Sequence, residues 1–390
     1  SGMLDWVIVG GGIHGTHHAI SLLGRGAVDP ERMRILDPHP RLLASWTRNT
    51  GRTGMRYLRS PRVHHLGPDS GHLKRFIESE ARRDATLGKY HGPRLDLFQA
   101  HCRHLIQTHG LNRLHTPCRV TGLFPTKGSY QVTTDAGSLD TRRVLLALGA
   151  GEQPAWPAWA RSLRTQGARV FHIFDDDCAL EALKTQVAVI GGGLSAVQAA
   201  LRLAETHPSK VTLLSRHPVR VSEFDSDPCW LGPKCLARYA TVSCPRKRRE
   251  MITAARQRGS IPRRTLIELR SQVERGALQW VAGNVASAKW SGTQIVLRDR
   301  RGRSLITVDS LLLATGFAPQ RPGGEWLEAA VHAMNLPVAP CGYPQLQRGL
   351  SWNENLYVTG PLAELKLGPA ARNISGARRA AEWIAKRAPT

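Results

Sequence analysis

The sequence lacks the cysteine and apolar patterns of several common protein classes. Its seven cysteines include no Cys-x-x-Cys pair, and the nearest two, Cys229 and Cys235, have five residues between them. This spacing indicates neither a disulfide framework nor a redox dithiol nor a zinc ribbon. No apolar run approaches the roughly 20 residues that cross a bilayer, and no signal peptide precedes the first predicted strand. We therefore expect a cytoplasmic protein without a membrane span or a metal site.

Acidic residues and lysine are also scarce. The 390 residues include 30 acidic and 54 basic side chains, and only 10 of the basic ones are lysine. The 44 arginines are spread along the chain, and no zinc-finger spacing or RNA-binding aromatic motif accompanies them. The net charge of +24 thus predicts general attraction to anions and no specific nucleic-acid partner. With 41% hydrophobic residues, the chain is expected to form two or three globular domains.

The first glycine-rich stretch, DWVIVGGGIHG, has the complete fingerprint of a dinucleotide-binding turn. A β-branched run suited to a buried parallel strand precedes Gly10, Gly12 and Gly15, and a helical run follows them. The next apolar strand ends in Asp37, 22 residues after Gly15. Gly12 would let the backbone approach a pyrophosphate, and Asp37 would accept hydrogen bonds from a ribose. An acidic ribose partner is suited to FAD.

The second glycine-rich stretch, VAVIGGGLSA, repeats this pattern about 180 residues later. Its small residues follow a strand at residues 187–190 and precede a predicted helix that ends near residue 206: Gly191, Gly193 and Ala196. The strand that follows ends in Ser215-Arg216, with no carboxylate at that point. A serine hydroxyl and a guanidinium can bind a 2′-phosphate, so NADPH is favoured over NADH. The alternative is that Arg216 is one more solvated arginine.

Two further apolar strands end in small residues. The runs VLLALG, which ends at Gly149, and LLLATG, which ends at Thr315-Gly316, stand at the two places where the chain would cross between domains. Small residues at these strand ends would keep each crossover close to a bound dinucleotide. The predicted fold class is α/β, with two Rossmann-like dinucleotide-binding domains and the NADPH domain inserted into the FAD domain. The predicted segments are residues 3–152 and 309–390 for FAD and residues 165–308 for NADPH.

With these motifs placed, the chain resembles the two-dinucleotide-binding flavoproteins, and among them the class B flavin monooxygenases. The branch with the nearest resemblance contains the lysine and ornithine N-hydroxylases, which carry Asp, three residues, Leu-Ala-Thr-Gly-Tyr, four residues and then Pro or His. Here Asp309, residues 313–316, Phe317 and Pro322 fit that spacing, with Phe in place of Tyr.

The resemblance implies further cofactor contacts. Trp46 and Met55 lie in the segment that runs past the flavin ring in the hydroxylases, and Val120 lies in a turn that resembles the adenine-binding one. In this superfamily the final helix points its N-terminus at the flavin pyrimidine, which here implies contacts from three residues: Gly360, Asn373 and Ile374. For Trp46 and Met55, plain core packing is the competing interpretation.

The function implied by the resemblance is that of an FAD-dependent, NADPH-consuming monooxygenase. Such an enzyme would use O₂ to form a flavin C4a-hydroperoxide and oxygenate a nitrogen or sulfur of a small molecule. One alternative is an NAD(P)H oxidoreductase that passes electrons to a quinone, a protein or oxygen without hydroxylation. Another is a non-catalytic redox sensor, and a homo-oligomer is left open.

The substrate and the catalytic residues are not defined by the sequence. Where the amino-acid hydroxylases carry Met-Gln and then a substrate-binding Lys, this chain has Met55-Arg56, and Arg59 is the nearest cation. Lysine or ornithine as substrate therefore stays open. The predicted pocket lining includes Arg59, His65 and Trp230, the last in the turn-rich segment 222–239. Ordinary structural roles are the alternative for all three.

Overall fold

The computed structural model describes residues 2–26, 28–80, 84–183, 185–207 and 210–386. Its α-helices, in chain order, are α1 (Ile13–Gly24), α2 (Ala44–Thr53), α3 (His72–Ser79), α4 (Leu95–Thr108), α5 (Ala158–Thr165), α6 (Leu194–Thr206), α7 (Pro233–Thr241), α8 (Pro245–Ala255), α9 (Arg263–Glu274), α10 (Gly324–Ala333), α11 (Glu364–Leu367) and α12 (Ile374–Ala385). The strands are β1 (Leu4–Val9), β2 (Met33–Asp37), β3 (Thr86–Leu87), β4 (Gly92–Pro93), β5 (His115–Pro117), β6 (Val120–Thr126), β7 (Ser129–Thr134), β8 (Gly137–Leu146), β9 (Val170–His172), β10 (Val187–Ile190), β11 (Val211–Ser215), β12 (Arg220–Val221), β13 (Ser260–Ile261), β14 (Gln279–Ala282), β15 (Ser287–Trp290), β16 (Ile295–Arg298), β17 (Ser304–Val308), β18 (Ser310–Leu313), β19 (Ser351–Asn353) and β20 (Leu356–Val358).

The first sheet is built around β1. Its order is β19-β20-β8-β1-β2-β5, with β6 and β7 joined to β8 as an antiparallel meander. Strand β1 runs parallel to both neighbours, so that Ile8 pairs with Ile35 on one side and with Leu145 on the other. These three side chains are fully buried, as expected for a central parallel strand covered on both faces.

The second sheet is entirely parallel, with the order β14-β11-β10-β18-β9. Helix α6 leaves β10 and packs against β11, which is the connection that the second glycine-rich stretch predicts. The antiparallel strands β15, β16 and β17 form a separate three-stranded sheet beside it. The predicted α/β fold with two Rossmann-like units is thereby confirmed.

One predicted domain boundary differs from the structure. Strand β18 lies between β10 and β9 in the second sheet, whereas residues from 309 onward are predicted to belong to the first domain. The chain therefore leaves the second sheet only after Leu313. An apolar strand that ends in small residues has the same sequence pattern in either sheet. The pattern therefore does not show which sheet the strand joins.

The two crossovers between the sheets run side by side. The Ala155 amide donates to Gly316 O at 2.8 Å, and the Ala318 amide donates to Gln153 O at 2.7 Å. Between them Pro154 and Phe317 form an isolated antiparallel bridge. The outgoing and returning connections between the two sheets are thus hydrogen-bonded to each other as a short antiparallel pair.

The cysteine spacing indicates no disulfide framework, but one disulfide is present. Cys229 and Cys235 form a disulfide, with 5.3 Å between their Cα atoms. Cys229 lies in a 3₁₀ turn at Pro228–Leu231, and Cys235 lies in the first turn of α7. The turn folds the chain back over five intervening residues, a closure that the spacing alone does not reveal. No helix among the described residues is both long and apolar enough to cross a membrane.

Candidate dinucleotide and active site

The first cradle is the loop of residues 10–15 between β1 and α1. Gly10 has φ +111°, and a Cβ there would lie 2.4 Å from Ala147 O at the end of β8. A Cβ on Gly15 would lie 1.8 Å from Gly10 O. Gly12, the N-cap of α1, is different because, apart from its two chain neighbours, no atom of a described residue lies within 4 Å of its Cβ position. Gly10 and Gly15 thus let the loop pack closely against neighbouring backbone atoms. Gly12 leaves open space at the N-terminus of α1, where a pyrophosphate fits.

Asp37 lies at the end of β2, next to this cradle. Its Oδ2 accepts from the Gly11 amide at 2.7 Å, and its Oδ1 lies 2.8 Å from His39 Nδ1. The His39 amide also donates to Oδ1 at 3.0 Å, so both lone pairs of that oxygen are used, whereas Oδ2 can accept one further hydrogen bond from a ribose hydroxyl. The residues present therefore fit an adenine dinucleotide such as FAD.

The second cradle, residues 191–196, repeats the geometry of the first. Gly191 has φ +150°, and its Cβ position lies 2.5 Å from Ala314 O at the end of β18. Gly193 is the N-cap of α6, and the nearest atom to its Cβ position is Gly259 Cα at 3.5 Å. Ala196 is fully buried, which lets α6 approach the strand. Ala147 and Ala314 are thus equivalent, because each small strand end abuts the first glycine of its cradle.

Ser215 and Arg216 have different surroundings at the end of β11. Ser215 is fully buried, and its hydroxyl accepts from Trp280 Nε1 at 3.0 Å. Arg216 is exposed and forms no ion pair within the described part of the chain. Of the two residues, Arg216 is therefore the one free to bind a 2′-phosphate.

Replacement of Arg216 by alanine is expected to raise the KM for NADPH by roughly tenfold to 150-fold and to leave the KM for NADH nearly unchanged. A lost charge-assisted hydrogen bond costs roughly 1.5–3 kcal/mol. Steady-state flavin reduction with each cofactor measures the effect, and Arg270→Ala, an exposed arginine of α9, is the matched control. An equal change for both cofactors would show that Arg216 does not contact the 2′-phosphate.

The N-terminus of α12 meets the first cradle through His14. Burial lowers the pKa of His14 to about 4, so the ring is neutral near pH 7. Its Nε2 lies 3.0 Å from Asn373 O and therefore carries the proton. Its Nδ1 then accepts from the Thr359 hydroxyl at 2.9 Å. His14 thereby links the cradle to Asn373, which is the N-cap of α12.

Other predicted cofactor residues lie around the first cradle. Gly360 has φ +64°, and its Cβ position lies 3.7 Å from the His14 ring. Ile374 is the first residue of α12 and packs against the first core. Gly149 caps the 3₁₀ turn at the outgoing crossover, with only the Gly151 amide nitrogen within 4 Å of its Cβ position. Gly360, Ile374 and Gly149 are thus close to the elements that would surround a flavin.

Trp46, Met55 and Val120 are part of the first core or packed against it. The Trp46 ring lies 5.2 Å from that of Phe98, measured between centroids, and Met55 is also partly buried. Val120 begins β6 and is buried. Core packing is thus an observed role for these side chains, and their cofactor contacts stay predictions.

The hydroxyl of Thr315 is engaged within the protein. The Phe174 amide donates to His172 Nδ1, which places the ring proton of this buried, neutral histidine on Nε2. That nitrogen lies 3.2 Å from Thr315 Oγ1, which itself donates to Ala155 O at 2.5 Å. Thr315 therefore holds the two crossovers together, whereas Gly316, with no atom within 4 Å of its Cβ position, leaves space for a ligand.

Arg59 connects the first domain to the loop of residues 222–227. Its Nε donates to Glu223 O at 2.8 Å, and its Nη2 donates to Ser222 O at 2.7 Å and to Ser260 Oγ at 3.0 Å. The same loop reaches α12, because Asn373 Nδ2 donates to Asp225 Oδ1 at 3.2 Å. Arg59 thus orders a loop that lies over the N-terminus of α12.

His65 and Trp230 lie apart from this loop contact. His65 is buried, with Nδ1 accepting from the Gly67 amide and Nε2 bonded to Ser70 O. Trp230 is buried against Tyr239 in a small cluster of its own, beside the disulfide. The Trp230 amide does reach the loop, since it donates to Asp227 O at 3.0 Å, but the Trp230 side chain lies in that cluster and not at the Arg59 contact.

One charged cluster was missed by the sequence analysis. Glu364 is fully buried, and three guanidinium groups bind its carboxylate: Arg249 at 2.5 Å, Arg256 at 2.5 Å and Arg372 at 2.7 Å. We call this group the Glu364 cluster. It joins α8 to the segment just before Asn373. The arginines lie up to 115 residues away from Glu364 in the chain, and no local pattern distinguishes them from the other arginines.

The fold and the two cradles define the class of the two-dinucleotide-binding flavoproteins. Within that class, the chain belongs to the pyridine nucleotide-disulphide oxidoreductase family, whose models match residues 7–257 and 185–339. No curated protein matches the sequence.

Solved structures with the same fold span nearly the whole chain. The ornithine hydroxylase of Pseudomonas aeruginosa is 21% identical and has a TM-score of 0.76, with 99% of this chain and 98% of that one covered. The ornithine N-hydroxylase of Kutzneria sp. 744, solved with reduced FAD, NADP⁺ and L-ornithine, is 18% identical at a TM-score of 0.77, covering 99% and 98%. The FAD-bound cadaverine monooxygenase of Erwinia amylovora is 16% identical at 0.77, covering 99% and 94%. At these identities the likeness shows the fold.

Proposed function

We propose that this protein is an FAD-dependent, NADPH-consuming monooxygenase that oxygenates a nitrogen or sulfur atom of a small molecule. The observation that carries the proposal is the agreement of the fold, over 99% of this chain, with the two ornithine hydroxylases and the cadaverine monooxygenase. FAD is assigned to the first cradle, where Asp37 is the ribose partner. NADPH is assigned to the second, where Arg216 is exposed at the strand end.

In this proposal the chain positions the reactants and the cofactors supply the chemistry. When bound, FAD would accept a hydride from NADPH and then react with O₂. Gly12 and the N-terminus of α1 would hold the pyrophosphate, and the N-terminus of α12 would stabilise negative charge on a ring placed before it. Neutral His14 holds that helix end in place through Asn373, without adding a positive charge there.

The substrate would bind near the loop of residues 222–227, over the N-terminus of α12. Arg59 would act there by holding the loop through two carbonyl oxygens, and its Nε and Nη2 are already occupied. This arrangement differs from a free cation that waits for a substrate carboxylate. Trp230 would act on the substrate indirectly, because it lies in the same chain segment, residues 222–239, as the loop. A contact between His65 and the substrate stays a prediction.

A second candidate function is favoured by the Cys229–Cys235 disulfide. The cysteine spacing indicates no redox dithiol, yet these two cysteines are joined and would form a dithiol on reduction. The disulfide follows the 222–227 loop directly in the chain. Electrons from a reduced flavin could therefore pass to it, which is the oxidoreductase alternative without hydroxylation.

Anaerobic titration with NADPH separates the two functions. The monooxygenase is expected to take up one NADPH per FAD, because only the flavin is reduced. If the disulfide also accepts two electrons, uptake doubles to about two NADPH per FAD, and Cys229→Ser, as the matched control, restores one.

Mixing the NADPH-reduced protein with O₂ then tests the oxygen chemistry. We expect a transient near-ultraviolet absorbance before the spectrum of oxidised flavin returns, because retained NADP⁺ and a closed site exclude water. Direct return to oxidised flavin, with one peroxide per NADPH whichever amine or thiol is present, would contradict the monooxygenase. Bound nucleotides without any turnover would support the redox sensor.

A further inference from the structure

A basic cavity lies away from both cradles. It has a volume of about 220 Å³, is open to solvent on one side, and is lined by the start of α8, by α11 and by the loop of residues 344–346. We call it the basic cavity. Its lining includes Ser243, Pro245, Arg248, Pro344, Leu365 and Lys366, and no lining residue is acidic.

Arg248 is held rigidly at the edge of the basic cavity. Its Nε donates to Val242 O at 2.6 Å, and its Nη1 donates to Leu365 O at 3.0 Å. The guanidinium also lies over the Tyr239 ring, 5.1 Å from the centroid. Its Nη2 has no hydrogen-bond partner in the described part of the chain. The Arg248 guanidinium is therefore fixed in place and keeps N–H donors for a ligand, as in a preorganised anion-binding site.

Lys366 adds a second cation that lacks a counter-ion. It is half-buried, and among the described residues no carboxylate lies within ion-pair distance of it. Desolvation, Arg248 and Arg348 together lower the pKa of Lys366. Glu364, two residues earlier, cannot compensate, because Arg249, Arg256 and Arg372 already bind it. Positive charge thus accumulates in a partly desolvated space without an internal partner.

We propose that the basic cavity binds a small organic anion through a phosphate or carboxylate group held between Arg248 and Lys366. Drug-sized ligands occupy pockets of roughly 300–1,000 Å³, so this cavity suits a small phosphate ester or organic acid. The anion would supply the negative charge that the lining residues lack. The apolar atoms of Pro344 and Leu365 would contact the rest of the ligand. This site is additional to the two dinucleotide sites.

Calorimetric titration of the FAD-loaded full chain tests the proposal. Inorganic phosphate and succinate are the probes, and they distinguish the two anion chemistries. Saturating NADP⁺ occupies the second cradle, and chloride keeps the ionic strength constant because salt screens non-specific attraction to the basic surface. We expect about one equivalent of at least one probe to bind.

The variants locate the binding. Lys366→Met is expected to weaken it about tenfold or more, which corresponds to about 1.4 kcal/mol, and Lys366→Arg is expected to retain most of the affinity. Lys289→Met removes an exposed lysine of β15, and hence the same net charge, and should change nothing. Absence of saturable binding, or equal effects of Lys366→Met and Lys289→Met, would overturn the proposal.

Discussion

Gly12→Val protein is expected to purify folded but colourless. Within the described part of the chain, no atom beyond the two neighbouring residues lies within 4 Å of the Gly12 Cβ position, and its φ of −77° suits any residue. The valine side chain therefore fits the protein and fills the space that the pyrophosphate needs. We expect FAD affinity to fall by at least about 100-fold, equivalent to about 2.8 kcal/mol. Flavin absorbance after reconstitution measures the loss, and circular dichroism confirms the fold.

Gly193→Val is the matched control for this experiment. Its Cβ position is only 3.5 Å from Gly259 Cα, an ordinary contact, and it lies in the second cradle. This variant should stay yellow and lose reduction by NADPH. Gly15→Val is no substitute, because its Cβ would lie 1.8 Å from Gly10 O and would disturb the fold itself. A yellow Gly12→Val protein with normal flavin content would refute the assignment of FAD to the first cradle.

Glu364→Gln is expected to lower the free energy of unfolding by about 3–5 kcal/mol, because it removes the buried carboxylate that three partly buried guanidinium groups share. Urea titration followed by tryptophan fluorescence measures the change. Glu205→Gln is the control, since Glu205 and its partner Arg56 form an exposed pair. Such pairs contribute about 0–1 kcal/mol. Similar small effects of both substitutions would show that the Glu364 cluster does not stabilise the fold.

The difference in the free energy of unfolding between the unmodified protein and Glu364→Gln should depend on pH, which provides an independent check. Burial alone would raise the pKa of Glu364, but the three arginines outweigh burial and lower it below its ordinary value of 4.5. A depressed folded-state pKa contributes stability above pH 4.5, and that stability is lost as the pH falls through the folded-state pKa. The advantage of the unmodified protein over Glu364→Gln should therefore be full at neutral pH and shrink in acid.

The two cradles could be predicted from the sequence because they follow from local backbone geometry. Gly10 and Gly191 must be glycine, since each adopts a positive φ and its missing Cβ would touch a strand-end carbonyl. The predicted strand at residues 187–190 and the helix that ends near residue 206 agree with β10 and α6. Hydrophobic periodicity and turn-forming residues extend over only a few positions, so both can be recognised without knowledge of the fold.

Other features depend on where distant segments meet. Ser215 ends its strand as predicted, and its hydroxyl accepts from Trp280 in the folded protein. Residue 309 begins the predicted return segment, yet β18 pairs within the second sheet. The cysteine spacing gave no sign of the disulfide that the turn before α7 closes. In each case the partner lies outside the local pattern on which the prediction was based.

The sequence by itself thus determined the α/β class, the two cradles and the residues at their open positions, because these depend on short-range sterics. Only the tertiary structure decided what surrounds them. In the folded protein Thr315 contacts His172 at the crossovers, Arg59 holds the 222–227 loop, and three arginines bind Glu364. Among 44 arginines, Arg249 and Arg256 are selected by packing against a glutamate more than 100 residues away in the chain, and the energy of such contacts exists only once the chain has folded.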